Sequence, residues 1–349
     1  MRTKATNTIR IGVIGFGRLG MIHARNIAAS KVAELYAVCD VSQEALHRAE
    51  SAYGVMVFED LNEFLSLPLD GVVIASGTSL HLTHILSVAK AGMAIFTEKP
   101  VGLTLEATDM VLQQVVDAGV PFQIGFQRRW DPRYLQAKQI IDSGQIGVPV
   151  LFKAYGRDPD ASNPANWGLD KNGGLFLNAA IHDYDAARFL MGSEVEKISA
   201  TGAALVYEGL ANVSDIDTCA TTLFMTNSVM AITEWSRYAV YGYDIGAEII
   251  GTGGMVQIGR EQSGGLTHWR AHDEAPTVFS VFADAYKAEI DGFIASIAHK
   301  LPTTPGIEDA RTALHMALLA RESYRSSGVS NCSAIKGTTR THWLILRGY

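Results

Sequence analysis

Ile9-Arg10-Ile11-Gly12-Val13-Ile14-Gly15-Phe16-Gly17-Arg18-Leu19-Gly20 is the stretch that decides the fold. Ile9–Ile14 reads as an apolar strand buried on both faces, as strands of a parallel sheet are. It runs straight into a GxGxxG loop that opens a helix. Gly15 permits the tight turn, Gly17 lets backbone approach a pyrophosphate, and Gly20 lets helix and strand pack closely. The first N–H groups of the helix, with Phe16, Arg18 and Leu19 in the same loop, then face the phosphates. A glycine loop alone is a weak signal; here Asp40 ends the next strand, twenty residues past Gly20. Its carboxylate suits the adenosine ribose hydroxyls and repels a 2′-phosphate. Val41 and Ser42 offer no arginine to welcome one, so NAD is expected over NADP.

A second signal lies about eighty residues on. Met93-Ala94-Ile95-Phe96 is apolar and leads to Glu98-Lys99-Pro100. Ligands of open α/β sheets bind at the carboxyl ends of the strands, so Lys99 points to the same crevice as the glycine loop. Between the two signals strand and helix alternate: a helix over 19–30, a strand over 34–39, a helix over 43–53 capped by Ser42, a strand over 72–75 and a helix over 81–91. Strand 93–97, helix 105–118 and strand 122–125 follow. This alternation predicts a doubly wound parallel sheet.

After about residue 130 the rhythm changes. Helices over 132–143 and 179–191 are followed by strands over 195–206, 216–225, 229–235, 247–251 and 254–258, with a strand over 148–155 before them. Gly251-Thr252-Gly253-Gly254 reads as a hairpin turn. The pattern predicts an α/β protein: residues 1–128 as a Rossmann unit, and 129–328 as an α+β unit with a largely antiparallel open sheet for substrate binding and oligomerisation. Helices over 284–298 and 306–326 close it. Residues 329–349 carry Lys336, Arg340 and Arg347 without an acid and read as a disordered or artefactual tail.

With 349 residues, 48% hydrophobic and 19% charged, the chain has the make-up of a globular protein. A net charge of −7 gives no electrostatic reason to expect nucleic acid or an anionic membrane as partner. No apolar run reaches the ~18 residues of a membrane span, and the start lacks a signal-peptide core. The three cysteines, Cys39, Cys219 and Cys332, are scattered and lack metal spacing. Together these predict a cytoplasmic protein without a metal. An apolar sheet face left open by its helices would pair with another subunit, giving a homodimer or homotetramer.

Gly15-Phe16-Gly17-Arg18-Leu19-Gly20, Thr78-Ser79-Leu80-His81, Ala91-Gly92 and Glu98-Lys99-Pro100 resemble, in order and spacing, the glucose–fructose oxidoreductase / inositol dehydrogenase / rhizopine catabolism family. Arg128-Arg129-Trp130-Asp131, Arg157-Asp158-Pro159 and Ile181-His182-Asp183-Tyr184-Asp185 fit its inositol dehydrogenase branch. The resemblance covers roughly residues 9–326. It implies NAD-dependent oxidation of a secondary hydroxyl of a cyclic polyol, myo- or scyllo-inositol, with Lys99 and His182 handling the proton. Sugar or anhydrosugar dehydrogenases, NAD-dependent glycosidases and nucleotide-sensing regulators are the alternatives within the family. The chemistry is sound independently of family: a cation stabilises a developing alkoxide, and imidazole titrates near neutrality. Ser76, His81, Glu98, Lys99 and Gln127 are expected on the cofactor side. Lys99, Gln127, Asp158, Trp167, Asn178 and His182 are expected around the polyol. Many family members have aspartate where this chain has Asn178, so the residue beside the histidine carries no charge here. His23 and the other scattered histidines read as core or capping residues.

Overall fold

The computed structural model describes residues 8–159, 168–259 and 277–332. The first part runs β1 (Ile9–Ile14), α1 (Arg18–Ala28), β2 (Ala33–Cys39), α2 (Gln43–Tyr53), β3 (Met56–Phe58), α3 (Leu61–Leu65), β4 (Gly71–Ile74), α4 (His81–Lys90), β5 (Ala94–Glu98), α5 (Leu105–Ala118) and β6 (Phe122–Gly125). Its six strands lie in the order β3-β2-β1-β4-β5-β6, every pair parallel. The short β3 and α3 escape the sequence reading because three to five residues are too few to show a period.

The winding direction reverses between β1 and β4, and a crevice opens there. The loops that follow these strands come together because Gly15 has φ +89°; a Cβ on it would lie 2.6 Å from the Ser76 backbone. Gly20 allows an equally close approach. A Cβ there would sit 1.9 Å from the Gly15 carbonyl oxygen, so only glycine lets α1 start against the loop.

The second part comprises α6 (Pro132–Asp142), β7 (Pro149–Arg157), α7 (Ile181–Met191), β8 (Val195–Ala203), β9 (Thr218–Met225), β10 (Met230–Ser236), β11 (Asp244–Gly251), β12 (Gly254–Ile258), α8 (Val278–Val281), α9 (Ala283–His299), α10 (Ile307–Ser326) and β13 (Val329–Asn331). Its seven strands run β12-β11-β7-β10-β9-β8-β13, antiparallel except for the β7–β10 pair. The start of the expected tail is a correction. Val329, Ser330 and Asn331 pair with Ser199, Ile198 and Lys197, completing an edge of β8 that would otherwise expose its backbone. Residues 333–349 lie outside the described residues.

Alternation along β10 separates the faces of this sheet. Ala231, Thr233 and Trp235 are buried on the side covered by α7 and α10; Met230, Ile232 and Glu234 point outward. Phe224, cross-strand from Met230, joins the open face. The last third of the chain also returns to the first sheet. Ile290, Phe293 and Ile294 of α9 share a core with Ile11, Val13 and Phe96, and α9 packs on α1.

Gly20→Ala should lower stability by roughly 2–3 kcal/mol, the cost of forcing a methyl against rigid backbone. Urea denaturation would show it, and an unchanged midpoint would mean that the loop and α1 are not locked together.

Candidate active site

The glycine loop presents an open cradle. Gly17 caps α1 without any side-chain acceptor, the first turn holds no acid, and a Cβ on Gly17 would meet nothing within 4 Å. The first amides of α1 are therefore open to an anionic ligand. At the end of β2, Asp40 is oriented by two backbone donors. Phe16 N–H reaches Oδ2 at 2.6 Å and Ser42 N–H reaches Oδ1 at 2.8 Å. Each carboxylate oxygen keeps a second lone pair for a ribose hydroxyl. The residues present thus fit the pyrophosphate and ribose of NAD.

Lys99 follows β5, and the Lys99–Pro100 peptide is cis. Its Nζ crosses to the second part of the chain, donating to the Asn178 carbonyl at 2.6 Å and lying 3.4 Å from Asn178 Oδ1. Asn178 sits in a π-helical turn, Phe176–Ala180, that leads directly into α7. Such turns displace side chains from the regular helical pattern and recur at functional sites. The turn is anchored below: Leu175 N–H donates to Asp215 Oδ1 at 2.8 Å, and Arg237 holds the other Asp215 oxygen at 2.9 Å. His182, one turn on, is buried with the Phe126 ring at its edge, and its Nδ1 has no partner among the described residues.

Burial lowers the Lys99 pKa to about 8, the charges of Arg237 and Arg128 pushing the same way and Glu98 and Asp158 opposing. Burial, then the Lys99 and Arg128 charges, hold the His182 imidazole well below its ordinary value. At neutral pH His182 is therefore uncharged, while Lys99 exchanges its proton within reach of mild alkali.

Lys99, Gln127, Asp158, Asn178 and His182, drawn from segments eighty residues apart, line one cavity of about 310 Å³. Arg18, Leu19 and Glu98 are in its wall as well. Gly15, Phe16, Gly17, Gly20 and Asp40 form the cradle beside it. Ser76 has its hydroxyl tied to His84 Nδ1 at 2.9 Å. His81 is not among the residues that line this cavity. The ring is buried, and its nitrogens lie 2.8 and 3.0 Å from the Pro100 and Ser76 carbonyl oxygens, bracing the two loops. Trp167 lies outside the described residues. Missing from the sequence reading are Arg237, Tyr243 and Tyr286, which also line the cavity. Tyr243 and Arg237 fall in the turn between β10 and β11, and only three-dimensional pairing brings that turn to Lys99.

The Arg128-Arg129 pair proves to be a brace. Arg128 donates to Asp183, which also accepts from Trp235 Nε1, and all three are buried. Arg129 grips Asp185 with two bonds, 2.9 and 2.7 Å, and reaches Asp309 of α10 at 2.8 Å. Both aspartates follow His182 within one turn of α7, so the braces fix Gln127 and His182 relative to each other.

Residues 9–126 match the model of an oxidoreductase family with an NAD-binding Rossmann fold, and residues 134–257 match the GFO/IDH/MocA C-terminal domain. A myo-inositol 2-dehydrogenase of Thermotoga maritima is 34% identical over 322 residues, 90% of this chain and 96% of that protein. The chain belongs to the GFO/IDH/MocA oxidoreductase family. A scyllo-inositol 2-dehydrogenase (NAD(+)) of Bacillus subtilis is 35% identical over 326 residues, 91% of this chain and 94% of that one. Among solved structures, scyllo-inositol dehydrogenase of Lactobacillus casei with bound NAD(H) and scyllo-inositol superposes with a TM-score of 0.83 at 34% identity, covering 93% of this chain and 99% of that one. The GFO/IDH/MocA architecture, a parallel Rossmann sheet followed by a mixed, mostly antiparallel sheet, is the one described above.

Asp183→Asn removes the counter-charge of a fully buried guanidinium and should cost roughly 3–5 kcal/mol. Thermal unfolding of the variant reads this directly; a melting temperature equal to the parent's would mean that the pair holds nothing in place.

Proposed function

We propose that this chain oxidises one secondary hydroxyl of an inositol, myo- or scyllo-, to the ketone with NAD as acceptor. The convergence of Lys99, Asn178 and His182 in a cavity beside the glycine cradle carries this reading. The inositol dehydrogenases among its relatives support the substrate class. Bound NAD supplies a hydride acceptor. In the cradle, the α1 amides hold its pyrophosphate and Asp40 its adenosine ribose.

The carbinol carbon gives up hydride as its hydroxyl gives up a proton. Lys99 in its amine form is the stronger base of the two candidates, because its pKa of about 8 lies far above that of His182. The proton therefore ends on Lys99, and neutral His182 accepts a hydrogen bond from the hydroxyl and relays. Lys99 as ammonium then stabilises the alkoxide in the reverse direction. Gln127, Asp158 and Asn178 bind the remaining hydroxyls. Asn178 does so without adding charge, and that keeps Lys99 from being locked as an ammonium. Residues 1–128 serve the cofactor and lend Lys99 and Gln127 to the polyol site, and 129–328 supply the rest of that site.

The open sheet face, with Phe224, Met230 and Ile232 exposed, is the surface through which we expect a homodimer or homotetramer to form. Cys39, Cys219 and Cys332 are unpaired, in keeping with a reducing, cytoplasmic setting. No helix among the described residues is long and apolar enough to cross a membrane.

Near-ultraviolet absorbance of NADH, followed with NAD and a panel of myo-inositol, scyllo-inositol, glucose, xylose and an anhydrosugar, tests the function. Turnover on an inositol that vanishes in Lys99→Ala is expected; turnover on the sugars alone would overturn the substrate class. The oxidation rate should rise as pH passes about 8, where Lys99 loses its proton. Asn178→Asp places a carboxylate beside the ammonium, which favours the charged form, so its rising limb should move about one pH unit upward. A limb that stays put would remove Lys99 as the titrating base.

A further inference from the structure

Glu98, the residue before Lys99, meets two further ionisable groups in the interior. His23 Nε2 of α1 and Glu98 Oε1 lie in hydrogen-bond contact at 2.7 Å. Glu289 of α9 comes up to the same place, the nearest side-chain N and O atoms of the three residues all lying within 4.8 Å of one another. All three residues are buried, His23 and Glu289 completely. Neither oxygen of Glu289 has a hydrogen-bond partner among the described residues, nor does His23 Nδ1. The rings of Phe96 and Tyr286 pack edge-on against His23.

The ionisable groups facing Glu289 are Glu98 from β5, His23 from α1 and Tyr286 one turn earlier on α9. None of these is a lysine or arginine that could neutralise it. Burial and the neighbouring Glu98 carboxylate push the Glu289 carboxyl well above the ordinary range. Two buried carboxyls at this separation resolve their repulsion when one keeps its proton; Glu98 has the His23 ring as a partner, and Glu289 has none among the described residues.

We propose that Glu289 is a protonated carboxylic acid that keeps a second charge out of this cluster while His23 holds the Glu98 carboxylate beside Lys99, making His23 and Glu289 positioning residues for the proton transfer. The inference rests on Lys99 as the titrating base. Glu98 is the foremost group that opposes the burial of Lys99 and keeps its proton affinity up. A single negative charge held in this cluster leaves Lys99 able to release its proton in mild alkali. A second charge would lock the ammonium, and a displaced Glu98 would let its pKa fall.

The test begins with the infrared spectrum of the full chain at neutral pH, without substrate. A carboxylic-acid carbonyl band that shifts in D2O and is missing from Glu289→Gln is expected, with no stoichiometric divalent metal in the purified protein. Absence of the band overturns the proposal. So does a stoichiometric metal ion that is lost in Glu289→Gln, which would make the imidazole and two carboxylates a ligand set. Both readouts stand whether or not inositol is the substrate. The pH profile of kcat/KM then reads the positioning role. Glu289→Gln, which preserves the uncharged state, should keep the rising limb in place. His23→Leu should move it to lower pH and reduce kcat about tenfold, and His23→Gln, whose amide can donate to Glu98, should restore most of both. A limb displaced in Glu289→Gln, or unmoved in His23→Leu, contradicts the assignment. If His23→Leu does not fold, the two glutamine variants still decide it.

Discussion

One bond joins the two sheets at the point where chemistry can occur: Lys99 Nζ donating to the Asn178 carbonyl at 2.6 Å. Lys99 belongs to the sheet that carries the glycine cradle, and Asn178 to the turn that launches α7 on the other. Most of the remaining structure around the cavity serves to make that meeting rigid. The braces from Arg128 and Arg129 fix α7, Asp215 holds the π-helical turn from below, and α9 returns to pack against α1. Burying such charges is tolerable where the partners meet closely, as Arg129 with Asp185 and Arg237 with Asp215 do.

The electrostatics around Lys99 follow from this crowding. Burial alone would push its proton off, and cations at Arg128 and Arg237 add to that push. Glu98 and Asp158 restore part of the affinity, leaving a group that titrates near pH 8, where an amine can take a proton and an ammonium can return it. The close contact to Lys99 comes from the Asn178 backbone carbonyl, which accepts a hydrogen bond without fixing the charge, and the neutral side-chain amide 3.4 Å away adds no counter-charge.

How far the site could be read from sequence depended on whether a residue's role is local. Gly15, Gly17, Gly20 and Asp40 act through the turn and strand end they occupy, so spacing alone located the cradle. Lys99 was legible because it ends a strand whose direction was readable. Arg237, Tyr243 and Tyr286 reach the cavity only through long-range pairing of β7 with β10 and packing of α9, which no window of sequence contains. His81 shows that a histidine after a strand end can serve the backbone as well as a ligand, its ring meeting the Pro100 and Ser76 carbonyl oxygens. His23 looked like an ordinary core histidine, yet its partner is Glu98. The signal that could have exposed it was Glu289, an acid set among Tyr286, Ile290 and Phe293 on an otherwise apolar helix face. β3 and β13, three residues each, carry too little pattern to read at all.

The most direct measurement is a crystal structure of the chain with NAD(H) and the inositol it turns over. The reacting hydroxyl should lie about 2.6–3.2 Å from both Lys99 Nζ and His182, with the adenosine ribose on Asp40. An inositol seated away from Lys99, or a cofactor whose ribose leaves Asp40 untouched, would contradict the account.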